Sequence, residues 1–309
     1  MSKHKVSVIG AGNVGAATAQ RIAEGGLADV VLLDIADGVA GGKALDLWQA
    51  APVMKHDCRL LGGGDYALTR GSDIVVMTAG IVRKPGMSRD DLVRTNFKVV
   101  SGCARAWLEH CPDAIIIMVT NPLDVMAYTA YRLSGLGRSK VVGMAGILDS
   151  SRFRSFVAEE LDVSVENVHA FVLGGHGDDM VPLVRYTTVA GIPLPELLSS
   201  DRLEAIVERT RAGGGEIVKL LGTGSAYYAP AAATYEMVEA ILRDRKKILP
   251  CSAFLAGEYG QHDVFAGVPV KLGAGGVEDI IEIRLTEGEQ RAFDASASHV
   301  KETIATLQF

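Results

Sequence analysis

The stretch KVSVIGAGNVG, residues 5–15, joins a β-rich run to the glycine pattern G-x-G-x-x-G. Small residues continue from it in a helical stretch that stops at Gly25 and Gly26. A second apolar run, residues 30–33, then ends in Asp34. A strand, a helix and a strand within about 30 residues form a βαβ unit, whose crossover is expected to be right-handed. This stretch therefore predicts a parallel sheet.

The same glycines predict a site for a dinucleotide. Gly10 permits a tight turn, Gly12 lets a pyrophosphate approach the backbone, and Gly15 lets helix and strand pack closely. The phosphates would face the positive end of the helix dipole. Asp34 follows the last glycine by about 20 residues, where a carboxylate accepts hydrogen bonds from the ribose hydroxyls of NAD and would repel the 2′-phosphate of NADP. We predict an NAD site that includes Gly10, Gly12, Asn13, Val14, Gly15 and Asp34.

Further apolar runs extend the sheet through the first half of the chain. They recur at residues 74–77, 115–119 and 141–142, and helical patterns lie between them, notably over residues 88–110. The runs are continuous rather than alternating, which is typical of strands that are buried on both faces. We predict the α/β class, with an N-terminal Rossmann domain over residues 1–145 built on a doubly wound, mostly parallel sheet.

The second half has a different pattern, and no low-complexity linker separates it from the first. We predict a mixed α+β substrate domain over residues 146–309, packed tightly on the Rossmann domain. Its expected elements are a helix over 148–161, a strand over 168–173, a helix over 202–221 interrupted at the glycines 213–215, a hairpin of 268–272 with 277–283, and a final amphipathic helix. The glycines 213–215 indicate either a bend or a close backbone contact.

Composition excludes several classes of protein. The 309 residues are 48% hydrophobic and 22% charged, which is typical of a globular rather than a disordered chain. A net charge of −6 argues against nucleic-acid and anionic-membrane partners. No apolar run approaches the roughly 20 residues of a membrane span, and glycines break the N-terminal run too early for a signal peptide, so we expect a cytoplasmic protein. The four cysteines lack C-x-x-C spacing, so reduced thiols are expected, and the scattered histidines predict no metal site.

His176 is the best candidate for an acid–base residue among the seven histidines. It stands in a glycine-rich turn, GGHGD at residues 174–178, directly after a predicted strand, and its side chain exchanges a proton near neutral pH. A structural role for this histidine stays open. Asp149 either stabilises its imidazolium or caps the helix that starts nearby. Arg152, three residues further on, offers a planar fork for a carboxylate or forms a surface salt bridge.

The segment 80–89 carries two further arginines, Arg83 and Arg89, beside Pro85 and Gly86. It follows a parallel strand, and ligands in doubly wound sheets bind outside such strand ends. The segment is therefore either a lid over a ligand or a solvated loop.

Together these motifs resemble the lactate/malate dehydrogenase family, in particular its lactate-dehydrogenase-like malate dehydrogenases. The resemblance spans nearly the whole chain through GAGNVG, RKPGMSRDDL, TNPLD, LDSSRFR, GGHGD and GSAYYAPAAA. It implies that His176 is the proton donor and acceptor, with Asp149 as its partner. It implies that Arg152 binds the substrate carboxylate, that Arg89 polarises the carbonyl, and that Asn121 contacts substrate and nicotinamide. Asn96 is expected to contribute to the cofactor site.

The alternatives are a lactate dehydrogenase on the same scaffold and a non-catalytic NAD-binding protein, which would not need His176, Asp149, Arg152 and Arg89 together. Within the family, Arg83 indicates the substrate. Members that reduce pyruvate usually carry glutamine there, and members that reduce oxaloacetate carry arginine. A second carboxylate would pair with the Arg83 guanidinium in a closed site, whereas pyruvate would leave it buried and unpaired. Ala226 and Met87 favour the same dicarboxylate more weakly. The resemblance also implies a homo-oligomer, a dimer or a tetramer, for which Leu45, Leu47 and Trp48 on a predicted helix would suit a subunit contact or an ordinary core.

Overall fold

A computed structural model describes residues 4–82, 86–177 and 179–309 of the chain. Its first half alternates strands and helices, as the sequence predicts. The strands are β1 (Lys5–Ile9), β2 (Asp29–Leu33), β3 (Leu60–Gly63), β4 (Ile74–Met77), β5 (Ile115–Met118) and β6 (Val141–Gly143). The helices are α1 (Asn13–Glu24), α2 (Asp37–Met54), α3 (Arg89–His110), α4 (Leu123–Ser134) and α5 (Gly146–Leu161).

These six strands lie in the order β3-β2-β1-β4-β5-β6, and every neighbouring pair is parallel. This is the doubly wound Rossmann arrangement, whose strand order reverses between β1 and β4. All four residues of β4 and of β5 are buried, because helices cover both faces of the sheet. The predicted N-terminal fold is confirmed.

The second half adds short strands, helices and a long antiparallel hairpin. Its strands are β7 (Val168–His169), β8 (Val172–Leu173), β9 (Val181–Pro182), β10 (Thr188–Val189), β11 (Ile192–Pro193), β12 (Lys247–Ala256), β13 (His262–Gly273) and β14 (Gly276–Ile280). Its helices are α6 (Leu194–Leu197), α7 (Ser200–Leu221), α8 (Tyr228–Leu242) and α9 (Glu287–Ala305). This mixed composition agrees with the predicted α+β half.

The large sheet continues from one half of the chain into the other. Strands β12, β13 and β14 extend it antiparallel beyond β6, which gives a nine-stranded sheet among the described residues. Ser252 of β12 pairs with Gly143 of β6. The division at residues 145 and 146 therefore remains a proposal about domains that share one sheet.

Three elements of the structure differ from the sequence-based prediction. The strand expected over 168–173 is two short strands in different sheets, β7 with β10 and β8 with β9. Helix α7 runs unbroken through the glycines 213–215. Strand β12 was not predicted, and Pro250 in its interior is a residue that argues against a central strand.

Two helix beginnings place side chains at the carboxyl edge of the parallel sheet. Helix α3 starts with a capping box, in which the Ser88 hydroxyl accepts from the Asp91 N–H at 3.0 Å and the Asp91 carboxylate accepts from the Ser88 N–H at 3.3 Å. Arg89 is thereby fixed as the first helical residue. Helix α5 follows β6 directly, so Asp149 and Arg152 lie in its first turns.

Within the described part of the chain, none of the helices has the length and apolar character required to cross a bilayer.

Candidate active site

The loop after β1 has the shape that a dinucleotide needs. Gly10 has a φ of +105°, and a Cβ on Gly15 would collide with the Gly10 carbonyl oxygen, so helix α1 packs closer to the loop than any other residue would allow. A Cβ on Gly12 would project into open space, where a diphosphate can approach the N-terminus of α1. Asn13 and Val14 form the first turn of that helix. These residues fit a bound dinucleotide.

Asp34 lies at the end of β2, beside the same loop. Its Oδ2 accepts from the Ala11 N–H at 2.7 Å and its Oδ1 accepts from the Ala36 N–H at 3.0 Å. These bonds fix the carboxylate where ribose hydroxyls are recognised in this fold.

His176 and Asp149 form a buried pair. Asp149 Oδ2 lies 2.8 Å from His176 Nδ1, and the Asp149 side chain is 1% exposed. Asp149 Oδ1 accepts from Arg152 Nη1 at 3.1 Å. Helix α5 begins at Gly146 with Ala145 as its N-cap residue, so the alternative in which Asp149 caps that helix is wrong. The bond to Nδ1 leaves Nε2 of the imidazole to face the cleft.

The charges around the imidazole favour its protonated form. Burial alone would lower the pKa of His176, but the charge of Asp149 and its hydrogen bond to Nδ1 raise it more, while Arg152 opposes them. The net effect is a pKa above the ordinary 6.5. The protonated form of His176 is therefore more stable than that of an ordinary histidine, as a proton donor to a carbonyl oxygen requires.

Three successive backbone N–H groups hold the turn that carries His176. The Gly174 N–H donates to the Gly267 carbonyl at 2.9 Å, the Gly175 N–H to the Ser296 hydroxyl at 2.7 Å, and the His176 N–H to Asp124 Oδ2 at 3.0 Å. The acceptors lie on β13, α9 and α4. The glycine-rich turn is thus fixed from three directions, which restricts where the imidazole can lie.

A cleft of about 390 Å³ brings His176 together with two other predicted site residues. Its lining includes Arg89 from the start of α3 and Asn121 from the loop after β5. Helix α9 closes one side. An imidazole, an amide and a guanidinium therefore line one cleft.

Arg152 packs against the glycines of helix α7. A Cβ placed on Gly213 would lie 3.2 Å from Cδ of Arg152, tighter than ordinary packing. The close-contact interpretation of this glycine run is therefore right, and the bend is wrong. The Arg152 side chain is 14% exposed, and its Nε is buried with no acceptor among the described residues.

Asn96 is buried, and its amide is occupied by the backbone. Its Oδ1 accepts from the Ile81 N–H at 2.8 Å, and its Nδ2 donates to the carbonyls of Asn121 at 2.6 Å and Ile81 at 3.0 Å. The structure therefore links Asn96 to Asn121. Direct binding of the cofactor by Asn96 stays a prediction.

Some expectations cannot be compared with the structure. Arg83 and the neighbouring residues 84–85 lie outside the described residues, as does Asp178 of the GGHGD motif. Among the described residues, no group of three or more His, Cys, Asp or Glu side chains is arranged to hold a metal ion.

Sequence reasoning missed two of the groups that hold the catalytic turn. Asp124 belongs to the TNPLD motif, in which the sequence analysis assigned a role to Asn121 alone. Ser296 lies on α9, about 120 residues from the turn that it holds, and no local pattern could indicate it.

Comparison with known proteins identifies the class. Residues 4–143 match the lactate/malate dehydrogenase NAD-binding domain, and residues 147–308 match the lactate/malate dehydrogenase alpha/beta C-terminal domain. The chain belongs to the lactate/malate dehydrogenase family. The predicted family and the predicted NAD cofactor are confirmed.

Relatives cover the chain from end to end. A protein of Desulforudis audaxviator named malate dehydrogenase is 59% identical, over 99% of both chains. The structure of malate dehydrogenase from Salinibacter ruber has a TM-score of 0.94 at 54% identity, covering 97% of this chain and 96% of that one. Lactate dehydrogenase from Cryptosporidium parvum, solved with lactic acid and the dinucleotide, has a TM-score of 0.96 at 41% identity, covering 99% and 98%.

Proposed function

We propose that this protein is an NAD-dependent malate dehydrogenase that interconverts malate and oxaloacetate. The observation that carries the proposal is the 2.8 Å contact between His176 Nδ1 and Asp149 Oδ2, in a cleft shared with Arg89 and Asn121. Full-length relatives named malate dehydrogenase, at 55–59% identity, support the choice of substrate.

The chain's own residues bind, orient and protonate the substrate. Glycines 10, 12 and 15 with Asp34 hold the dinucleotide, which supplies a hydride to the keto carbon when bound as NADH. Arg152 binds the carboxylate next to the keto group, and Arg89 stabilises the negative charge that develops on the carbonyl oxygen. His176 donates the proton from Nε2 to that oxygen, and Asp149 stabilises the imidazolium before transfer. Malate oxidation uses the same groups in reverse, with neutral His176 as the base.

Arg83 distinguishes oxaloacetate from pyruvate in this proposal. A distal carboxylate pairs with the guanidinium, whereas a methyl group leaves it unpaired, and an unpaired buried charge costs several kcal/mol. The argument rests on the sequence position of Arg83 and on the names of the relatives.

The test measures NADH oxidation with oxaloacetate and with pyruvate side by side. Wild-type protein is expected to prefer oxaloacetate in kcat/KM by on the order of a hundredfold or more, and Arg83→Gln should lower that ratio. A wild-type preference for pyruvate would instead make the protein a lactate dehydrogenase. An unchanged ratio in Arg83→Gln would refute the role of Arg83 alone.

We propose further that the protein forms a homo-oligomer through helix α2. Two apolar side chains of that helix, Leu45 and Trp48, are about half exposed in the single chain, and a second copy would remove them from water. Placement in the cytoplasm remains the prediction of the sequence.

A further inference from the structure

Asp124 is a buried carboxylate that the proton-transfer scheme does not use. It lies in the first turn of α4 and is 5% exposed. Its Oδ2 accepts from the His176 N–H at 3.0 Å, and its Oδ1 lies 2.6 Å from the Ser252 hydroxyl of β12. A buried carboxylate is costly unless both oxygens are hydrogen-bonded, and here each oxygen has a donor.

Asp124 connects two segments that line the cleft. Only Pro122 and Leu123 separate it from Asn121, the predicted substrate contact after β5. Its two hydrogen bonds link it to the turn that carries His176 and to strand β12 of the hairpin. One side chain therefore joins the loop that carries Asn121 to the turn that carries His176.

The charge of Asp124 influences the pKa of the His176 imidazole. Burial raises the pKa of Asp124, and its bonds from Ser252 and from the His176 N–H act against that rise. In the ionised form both oxygens accept, which matches the two donors present. The resulting negative charge adds to that of Asp149 in raising the pKa of His176.

We propose that Asp124 is a positioning residue for the proton transfer, which fixes the backbone of His176 and supplies a second negative charge behind its imidazole. The proposal rests on the proposed function, in which His176 gives a proton to the substrate. Asp124 itself stays out of contact with the reacting atoms. Its loss should therefore change turnover and its pH dependence more than the binding of NADH or of substrate.

Other charged groups near His176 must be considered in any pH profile. They are not altered when Asp124 is changed. Among the described residues they are Asp149 and Arg152 on α5, Arg89 and Asp90 at the start of α3, and Asp179 with its partner His299 on α9.

The decisive variant is Asp124→Asn, which removes the charge but can keep both hydrogen bonds. The amide oxygen accepts from the His176 N–H, and the amide nitrogen donates to Ser252. The alkaline midpoint of kcat/KM for oxaloacetate, at saturating NADH, should fall by roughly half a pH unit. The kcat above neutral pH should fall several-fold, with the KM for oxaloacetate and the Kd of NADH near their wild-type values.

Ser296→Ala is the matched control. It removes a hydrogen bond to the neighbouring Gly175 N–H, and hence the same kind of support for the turn, but it removes no charge. It should leave the alkaline midpoint in place, whatever it does to kcat. A shift as large as that of Asp124→Asn would show that displacement of the turn, and not charge, moves the profile, and this would overturn the charge role.

Ser252→Ala keeps the test decisive if Asp124→Asn does not fold. Loss of that donor leaves Oδ1 less stabilised in its charged form, so the midpoint should fall in the same direction but less. A wild-type profile in whichever of the two variants folds would overturn the proposal. Wild-type protein is assayed alongside, because a failure of oxaloacetate to oxidise NADH there would contradict the proposed function, whereas an active wild type with an unmoved variant profile would contradict only Asp124.

Discussion

At the scale of single residues, the Asp149 carboxylate lies between two cations, with Oδ1 on Arg152 and Oδ2 on His176. Its 1% exposure means that water screens neither contact. The carboxylate orients both side chains, and through its charge it keeps the pKa of His176 above the ordinary value. The proton donation that we propose for His176 therefore extends to higher pH than an ordinary histidine would allow.

Replacing Asp149→Asn should move the pH dependence of oxaloacetate reduction. Reduction needs protonated His176, so it is present below the pKa of His176 and is lost as the pH rises through it. Without the charge of Asp149, burial and the neighbouring Arg152 charge lower that pKa relative to the wild type. Steady-state assays from pH 5 to 9 should show the alkaline limb displaced to lower pH and a loss at pH 7.5 on the order of a hundredfold. An alkaline limb that stays in place would contradict the pairing.

At the scale of elements, helix α7 limits the space around Arg152, the proposed ligand of the substrate carboxylate. The glycines 213–215 lie within a continuous helix, although each glycine costs up to about 1 kcal/mol relative to alanine. Gly213 leaves the room into which Arg152 packs. These glycines therefore lower the stability of helix α7, and Gly213 leaves the space that the Arg152 guanidinium group needs.

Gly213→Val and Gly215→Val test this arrangement as a matched pair. Both variants place the same β-branched side chain in α7, but only the one at 213 points at Arg152, since nothing lies within 4 Å of a Cβ on Gly215. Gly213→Val should raise the KM for oxaloacetate about tenfold, equivalent to about 1.4 kcal/mol, with a smaller change in kcat. Equal KM values in the two variants would show that Arg152 does not depend on this contact.

Helices and strands could be predicted where a local sequence pattern defines them. The candidate active site could be predicted only in part. The parallel strands and the long helices follow from continuous apolar runs and 3.6-residue periodicity. Strand β12 was not predicted, and its Pro250 pairs across the hairpin with Pro269, a context that no local pattern shows. The motif resemblance brought His176 and Asp149 together across 27 residues. Asp124 and Ser296 contact the turn only in the folded chain, so no local sequence pattern indicated a role for them.

Taken as a whole, the protein is acidic, whereas its proposed substrate carries two negative charges. The net charge is −6, so attraction of the substrate depends on the cations gathered near the cleft rather than on the mean field of the protein. The carboxyl edge of the sheet gathers them, because the loops after parallel strands meet there. Helix α2 exposes the apolar side chains of Leu45 and Trp48, which the proposed subunit contact would remove from water.

Trp48→Glu should weaken self-association. Wild-type protein is expected to behave as a dimer or a larger oligomer in size-exclusion chromatography with light scattering, and a charge buried at the contact should shift it toward the monomer. Val165→Glu is the control, because Val165 is 50% exposed and Trp48 52%, and it lies away from α2. A monomeric wild type, or the same shift in both variants, would contradict an interface on α2.

The chemistry attributed to His176 is tested most directly by His176→Asn, assayed for NADH binding by fluorescence and for NADH oxidation with oxaloacetate. The glycines and Asp34 that are proposed to hold the dinucleotide lie on the loop after β1 and at the end of β2, so the Kd of NADH should stay within about twofold of wild type. Turnover should fall by at least about a thousandfold, because the variant lacks the imidazole that is paired with Asp149 and would donate the proton. Turnover near the wild-type rate in a variant that still binds NADH would contradict the account.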